Sequence, residues 1–331
     1  MTFKYLLTLF QIWTMDAIVG YLGFLIAAYA VIANDIIQTL GTFLSSNSNR
    51  PWYVLWGFSG VILLVTLLVG WGYFQGDVSY GRLDQIPLPE QLHWWYLLAP
   101  LSLLVITRYG IPVSTTFMIL SVFSSTQVIE KMLLKSLMGY VLAFVLAFLT
   151  YLFISRTLES KASLRLLDIK KQKRFWLAAQ WISTAFLWTQ WLIQDFANIF
   201  VFLPRRLDLN ELLISLLVIL GLMAYTFRNR GGRIQEVVSR KMNTQNIRSA
   251  TIIDLCYGLF LMGFGNFTNV PMSTTWAFVG ILAGRELALN YCLKKKEMKS
   301  AYRVIGKDFA KVNIGLIISI LMAYILKYLG T

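Results

Sequence analysis

The sequence predicts an all-α integral membrane protein made of two inverted-topology repeats, with broken helices and re-entrant helical hairpins. The chain of 331 residues is 57% hydrophobic and 14% charged, far fewer charges than the roughly 25% of soluble domains. Residues 52–73 and 137–154 contain no charge and have the length that a helix needs to cross about 30 Å of hydrocarbon. A duplicated pair of motifs, described below, predicts the repeats.

The net charge of +14 has two explanations, binding to nucleic acid or membrane topology. The basic residues lie in a few short loops between apolar runs, which is typical of cytoplasmic loops. We therefore expect a lipid bilayer and no nucleic acid as partner. The two cysteines form no CxxC motif and predict neither a disulfide nor a zinc site.

Two unrelated motifs recur at almost the same offset. The segment IPVSTT at residues 111–116 returns as VPMSTT at residues 270–275, 159 positions later. The segment NDIIQ at residues 34–38 returns as QDFAN at residues 194–198, 160 positions later. A shared offset indicates an internal duplication. The predicted organisation is a first repeat over residues 1–156, a basic cytoplasmic linker over 157–174 and a second repeat over 175–331.

Loop charge predicts that the two repeats are inverted. Residues 75–93 carry a net charge of −2, whereas the equivalent residues 228–250 carry +5. Because basic loops favour the cytoplasm, equivalent loops with opposite charge belong on opposite sides of the membrane. This topology places both termini outside.

Each half is expected to contain a helix with a polar break, a second helix, a re-entrant hairpin and a final helix. The breaks fall at Asn34 and Asp35 in the first half, and the PVSTT motif marks the hairpin bend. Inverted repeats with discontinuous helices are typical of secondary transporters. In chain order, the predicted first-half segments are residues 17–43, 52–74, 94–109, 112–128 and 137–154.

The repeated acid–amide motif predicts a pair of cation sites. A carboxylate inside a membrane span is costly and usually faces a cavity or a partner. Carboxylate and amide oxygens are ligands that hard cations prefer. A structural hydrogen-bonded pair that bridges helices is the alternative. The candidate cation ligands are Asn34, Asp35, Gln38, Gln194, Asp195 and Asn198.

The proline-led hydroxyl motif predicts an anion site. Proline favours the first helical position, so the hydroxyls that follow fall in a first turn whose N–H groups lack partners. A helix N-terminus with hydroxyl donors suits a tetrahedral oxyanion. The alternative is that the hydroxyls cap helices or bond to neighbouring helices. The candidate substrate ligands are Ser114, Thr115, Thr116, Ser273, Thr274 and Thr275.

Four further residues lie outside the repeated motifs. Arg108 could pair with an acid or help to neutralise the anion, and Arg285 could equally be an anchor at the cytoplasmic face. Asp254 has no acidic counterpart in the first half, so it stands outside the symmetric set. His93, the only histidine, is expected in an external loop. No base is then available for a nucleophile in a span, so no catalytic residue is assigned and an enzyme is disfavoured.

At these residues the chain resembles the inorganic phosphate transporter (PiT) family, which carries a GANDVAN-type signature in both halves and PVSTT segments downstream. The corresponding segments here read IANDIIQ at residues 32–38 and IQDFAN at 193–198. The chain departs from the signature at Ile32, Gln38 and Gln194. The resemblance implies a dimeric symporter coupled to sodium or protons. It implies cation ligation by Asn34, Asp35, Asp195 and Asn198, and phosphate ligation by Ser114, Thr115, Ser273 and Thr274.

Taken together, these features predict a transporter of inorganic phosphate across the cytoplasmic membrane of a prokaryote. Sodium is the expected coupling cation, no bound cofactor is expected, and the protein is expected to be a homodimer. Three alternatives remain open: another oxyanion such as sulfate, coupling to protons, or a transporter-derived protein without transport activity.

Overall fold

A computed structural model describes residues 15–108, 113–157, 169–229, 247–292 and 298–330. All regular structure within these ranges is helical, and six of the helices are long and apolar enough to cross a membrane. The predicted class, an all-α integral membrane protein, is confirmed.

In the first half, helix α1 (Met15–Val31) continues through a π-helical segment (Ile32–Ile36) into α2 (Ile37–Ser46). Then follow α3 (Trp52–Tyr73), a 3-10 turn (Trp94–Leu97) that leads into α4 (Leu98–Arg108), a second π-helical segment (Thr116–Leu120) with α5 (Ser121–Phe123), and α6 (Thr126–Thr157).

In the second half the helices are α7 (Ile169–Phe200), α8 (Leu209–Arg228), α9 (Ile247–Gly263), a 3-10 turn (Gly265–Phe267), α10 (Thr274–Cys292) and α11 (Met298–Gly330). The N-terminus of helix α8 is defined by a reciprocal capping box, which Asp208 and Glu211 form. Helix α7 begins within the predicted linker, so the last linker residues are helical; residues 158–168 lie outside the described ranges.

The predicted polar breaks take different forms in the two halves. Asn34 and Asp35 lie in a π-helical segment, a rare wide turn that is frequent at functional sites. Asp195, by contrast, lies in a continuous α-helix that ends at Phe200, one turn and a half further on. The final helix of the first half also begins earlier than predicted, because the chain is extended at Ser124 and turns helical again at Thr126.

The helices that carry the two acid–amide motifs run antiparallel. The rings of Phe24 and Phe200 lie 5.6 Å apart near one end, and Asn47 Nδ2 donates to Gln180 Oε1 (3.0 Å) at the other. Helices α3 and α8 are antiparallel as well: Trp71 Nε1 donates to the carbonyl of Leu207, and Trp56 Nε1 donates to that of Leu220.

The loop of residues 74–93 folds back onto the protein and buries a cation. The Asp77 carboxylate accepts hydrogen bonds from the backbone N–H groups of Ser79 and Gly81, and Gly81 has a φ of 75° that suits glycine. Leu207 N donates to the carbonyl of Gly76, so this loop packs against residues 201–208. The result is that Arg82 points inward and is buried.

Candidate functional site

The structure brings both copies of both motifs to one buried centre. Asp35 lies in the first π-helical segment and Asp195 in the last turns of α7, and both side chains are buried. The first hydroxyl motif precedes the second π-helical segment, and the second forms the start of α10. All six predicted hydroxyl residues are buried there.

Each carboxylate is held by matching hydrogen bonds in the two halves. Thr115 Oγ1 donates to Asp35 Oδ2 at 2.6 Å, and Thr274 Oγ1 donates to Asp195 Oδ2 at 2.6 Å. The neighbouring amides act in the same way: Asn34 Nδ2 donates to Asp35 Oδ1, and Asn198 Nδ2 donates to Asp195 Oδ1, both at 2.9 Å. Each acid therefore accepts from one hydroxyl of its own half's motif and one amide of its own helical segment, and Asp195 Oδ1 also lies 3.4 Å from Thr116 Oγ1 of the other half.

A chain of hydrogen bonds joins the two carboxylates. Asn198 Nδ2 donates to Thr115 Oγ1 (3.0 Å), which itself donates to Asp35, while the same amide bonds Asp195. Charge-assisted bonds of this kind fix carboxylate orientation. The two acids consequently form one connected unit.

The third hydroxyl of each motif contacts the backbone of the other motif. Thr116 Oγ1 donates to the carbonyl of Met272 (3.3 Å), and Thr275 Oγ1 donates to the carbonyl of Val113 (3.4 Å). The contacts are reciprocal, so the two motifs pack directly against each other.

Among the described residues, three buried amide oxygens near the acids have no hydrogen-bond partner. These are Asn34 Oδ1, Asn198 Oδ1 and Gln194 Oε1. The orientation of Asn34 is fixed because its Nδ2 donates to both Asp35 Oδ1 and the Val113 carbonyl. Buried polar atoms are normally satisfied, and a group of orphaned oxygens next to two carboxylates is the donor set that a hard cation takes.

The two serines serve as helix caps. Phe117 N donates to Ser114 Oγ (3.2 Å), and Trp276 N donates to Ser273 Oγ (3.3 Å). The capping role that the sequence left open is thus present at both positions. A capping hydroxyl only accepts in this bond, so its own hydrogen remains available to donate to an anion.

The remaining predicted residues lie at the edge of this centre, away from it, or outside the described part of the chain. The side chains of Gln38 and Arg108 are outside the described part of the chain. Gln194 Nε2 donates to Asn266 Oδ1 (2.7 Å), at the edge of the centre. Arg285 lies three turns along α10 from the hydroxyl motif, with its guanidinium 5.6 Å from the Tyr151 ring centroid. Asp254 occupies a separate buried position on α9.

Arg82 is a site residue that the sequence reasoning missed. Its Nε donates to the carbonyl of Ile193 and its Nη2 donates to Asn266 Oδ1, both at 2.8 Å. Arg82 therefore contacts α7 two residues before Asp195 and the 3-10 turn after α9. Burial lowers the pKa of the Arg82 guanidinium to about 10, and the nearby Asp195 charge acts in the opposite direction. At that pKa the residue is a cation at neutral pH.

Lys135 was missed as well. From α6, its ammonium donates to the carbonyls of Gly265, Thr268 and Val270 at 2.8, 2.9 and 2.8 Å. These carbonyls belong to the loop that leads into the second hydroxyl motif. The only sequence signal was a lysine placed just before an uncharged run.

Comparison with known proteins supports the fold. No protein-family model and no curated protein matches the chain. Among solved structures, the fold matches "The sodium-dependent phosphate transporter" with a TM-score of 0.59 and 16% identity, over 96% of this chain and 100% of the other. The chain therefore has the fold of a membrane transporter. In particular, it has the fold of a sodium-dependent phosphate transporter, as the resemblance to the PiT family implied.

Proposed function

We propose that this protein is a secondary transporter of inorganic phosphate coupled to sodium. The observation that carries the proposal is the buried centre, where two carboxylates and three orphaned amide oxygens adjoin two hydroxyl motifs. The fold shared with a sodium-dependent phosphate transporter supports it.

Sodium ions would bind at the acid–amide motifs. Asp35 and Asp195 supply charge, and Asn34, Asn198 and Gln194 supply amide oxygens that have no other partner. Gln38 completes the predicted set. Two buried carboxylates in one unit repel each other, so cations bound between them lower the energy of the loaded state.

Phosphate would bind where the hydroxyl motifs meet. Ser114 and Ser273 have hydroxyl hydrogens to donate, and the first-turn N–H groups of α10 at Thr274 and Thr275 have no partner within their helix. Thr115 and Thr116 line the same centre. Because the bound cations offset the anion's charge, each ligand would raise the affinity for the other.

Transport would proceed by alternating access between two inverted repeats. The antiparallel course of the helices that carry equivalent motifs supports this topology, as does the packing of residues 74–93 against 201–208, two segments expected on the outer side. We place the protein as a homodimer in the cytoplasmic membrane of a prokaryote, with both termini outside.

The test is phosphate uptake into proteoliposomes driven by an inward sodium gradient. Asp35→Asn and Asp195→Asn keep the shape of the side chain and remove its charge, so each should abolish uptake while the protein stays folded. Glu90→Gln, at an exposed position, is the control and should transport normally. Competition by sulfate distinguishes the two oxyanions. Full uptake by both aspartate variants would rule out the mechanism.

A further inference from the structure

Asp254 is a buried acid that the transport mechanism above does not use. Its side chain has no solvent exposure, and it lies in α9 between two other helices. Thr42 Oγ1 of α2 donates to Asp254 Oδ1 at 2.6 Å, and Thr184 Oγ1 of α7 donates to Oδ2 at 2.6 Å. One carboxyl group therefore links three helices, two of which carry the acid–amide motifs.

Among the described residues, no cation pairs with Asp254. Arg248 of the same helix stacks over the Trp176 ring at 5.6 Å, and Lys135 of α6 bonds the 265–270 loop. Asp195 lies eleven residues beyond Thr184, about 16 Å along α7. Of the charged side chains that the structure describes on helices packed against α9, the others are likewise engaged or exposed elsewhere: Glu130, Lys131, Arg174, Arg285 and Glu286.

A carboxylate buried in a membrane span without a counter-charge is costly, and such a group neutralises by taking up a cation or a proton. The donor set distinguishes the two. The carboxylate oxygens of all three acids accept hydrogen bonds, but among the described residues buried amide oxygens without a partner occur at the central site and not beside Asp254. A metal ion needs several oxygen ligands, and in the described part of the chain the only side chains hydrogen-bonded to Asp254 are Thr42 and Thr184, whose hydroxyls already donate to it.

We propose that Asp254 is a proton-binding site, separate from the central site, and that its proton stabilises the packing of α9 against α2 and α7. Loss of the proton leaves an unpaired charge among three helices, which weakens their packing. Thr42 lies two turns from Asp35 on the π-helix and α2, and α9 leads into the loop that carries Asn266 and the second hydroxyl motif. A change in the protonation state of Asp254 therefore affects the helices and the loop that position residues of the central site.

The test is the thermal stability of the purified protein as a function of pH, without sodium or phosphate. Asp254→Asn mimics the protonated acid and does not titrate. From about pH 5 to about pH 9, the melting temperature of the wild type should fall progressively below that of the variant, because only the wild type acquires a buried charge. Asp35 and Asp195 are present in both proteins, so the difference reports on Asp254. Parallel curves across this range would overturn the proposal.

Thr184→Val is a second variant, which keeps the Asp254 carboxyl group. If Asp254→Asn does not fold, the proposal is tested with Thr184→Val. It removes a hydrogen bond that favours the charged form, so the pH at which stability falls should move upward by one unit or more, that is by about one or more tenfold steps in proton affinity. An unchanged midpoint would contradict the proposal. Neither measurement depends on transport, so the result stands apart from the outcome of the uptake assay.

Discussion

At the scale of single residues, the threonine hydroxyls that face the two acids set the geometry of the proposed cation sites. Thr274 and Thr115 each donate to a carboxylate oxygen at 2.6 Å. A hydrogen bond to a charged group contributes about 1.5–3 kcal/mol, more than a bond between neutral groups. These hydroxyls therefore orient the carboxylates more strongly than the longer contacts around them do.

Thr274→Val tests this role, because valine has the same shape without the hydroxyl. The loss of a bond of about 1.5–3 kcal/mol should weaken sodium binding roughly tenfold or more, measured as the sodium concentration that gives half-maximal uptake. Thr275→Val is the matched control: its hydroxyl makes only a 3.4 Å contact to the Val113 carbonyl. If both variants raise this sodium concentration equally, the hydrogen bond from Thr274 to Asp195 has no specific role in sodium binding.

At the scale of elements, Lys135 fixes the loop between α9 and α10. Its ammonium donates to three carbonyls of the loop that leads into the second hydroxyl motif. Lys135→Met should lower the melting temperature and reduce the stabilisation that phosphate confers on the sodium-loaded protein. Lys131→Met, at an exposed position of the same helix, should leave both unchanged. Normal phosphate stabilisation of Lys135→Met would exclude a positioning role.

The packing of α6 against α10 depends on glycine. A Cβ added at Gly284 would collide with the backbone carbonyl of Phe144, and one added at Gly280 would lie 2.5 Å from that of Tyr140. This close approach of small residues is a common way for helices to associate in membranes. Gly284→Ala should destabilise the protein by about 1–3 kcal/mol, seen as a lower melting temperature.

Gly221→Ala in α8 is the control, since nothing lies within 4 Å of its added Cβ. Alanine favours a helix over glycine by up to about 1 kcal/mol, so this variant should be as stable as the wild type or more stable. A melting temperature of Gly284→Ala equal to that of Gly221→Ala would contradict the close helix contact.

The duplicated motifs were the part of the site that the sequence could predict, because a shared offset does not depend on tertiary structure. The duplication in turn predicted that Asp35, Asp195 and the two hydroxyl segments lie close together. Arg82 and Lys135 could not be predicted as parts of the centre, since each contacts a segment far away in sequence and lies outside both duplicated motifs. The π-helical turn at Asp35 was likewise hidden, because local propensity favours an ordinary helix there.

At the scale of the whole molecule, the two halves contribute equal shares to one centre. Each supplies one acid, one amide donor and one hydroxyl motif, and the tips contact each other's backbone through Thr116 and Thr275. A site shared in this way is sensitive to any movement of one half against the other. We expect this sensitivity to cause the proposed dependence of sodium affinity on bound phosphate.

The most direct test of this account is the mutual dependence of sodium and phosphate binding, measured by calorimetry on the purified protein. Phosphate should bind about tenfold or more tightly in sodium than in choline, and phosphate should raise sodium affinity by the same factor, as linkage requires. Asp35→Asn should remove the dependence. Equal phosphate affinity in sodium and in choline would contradict a shared cation–anion centre.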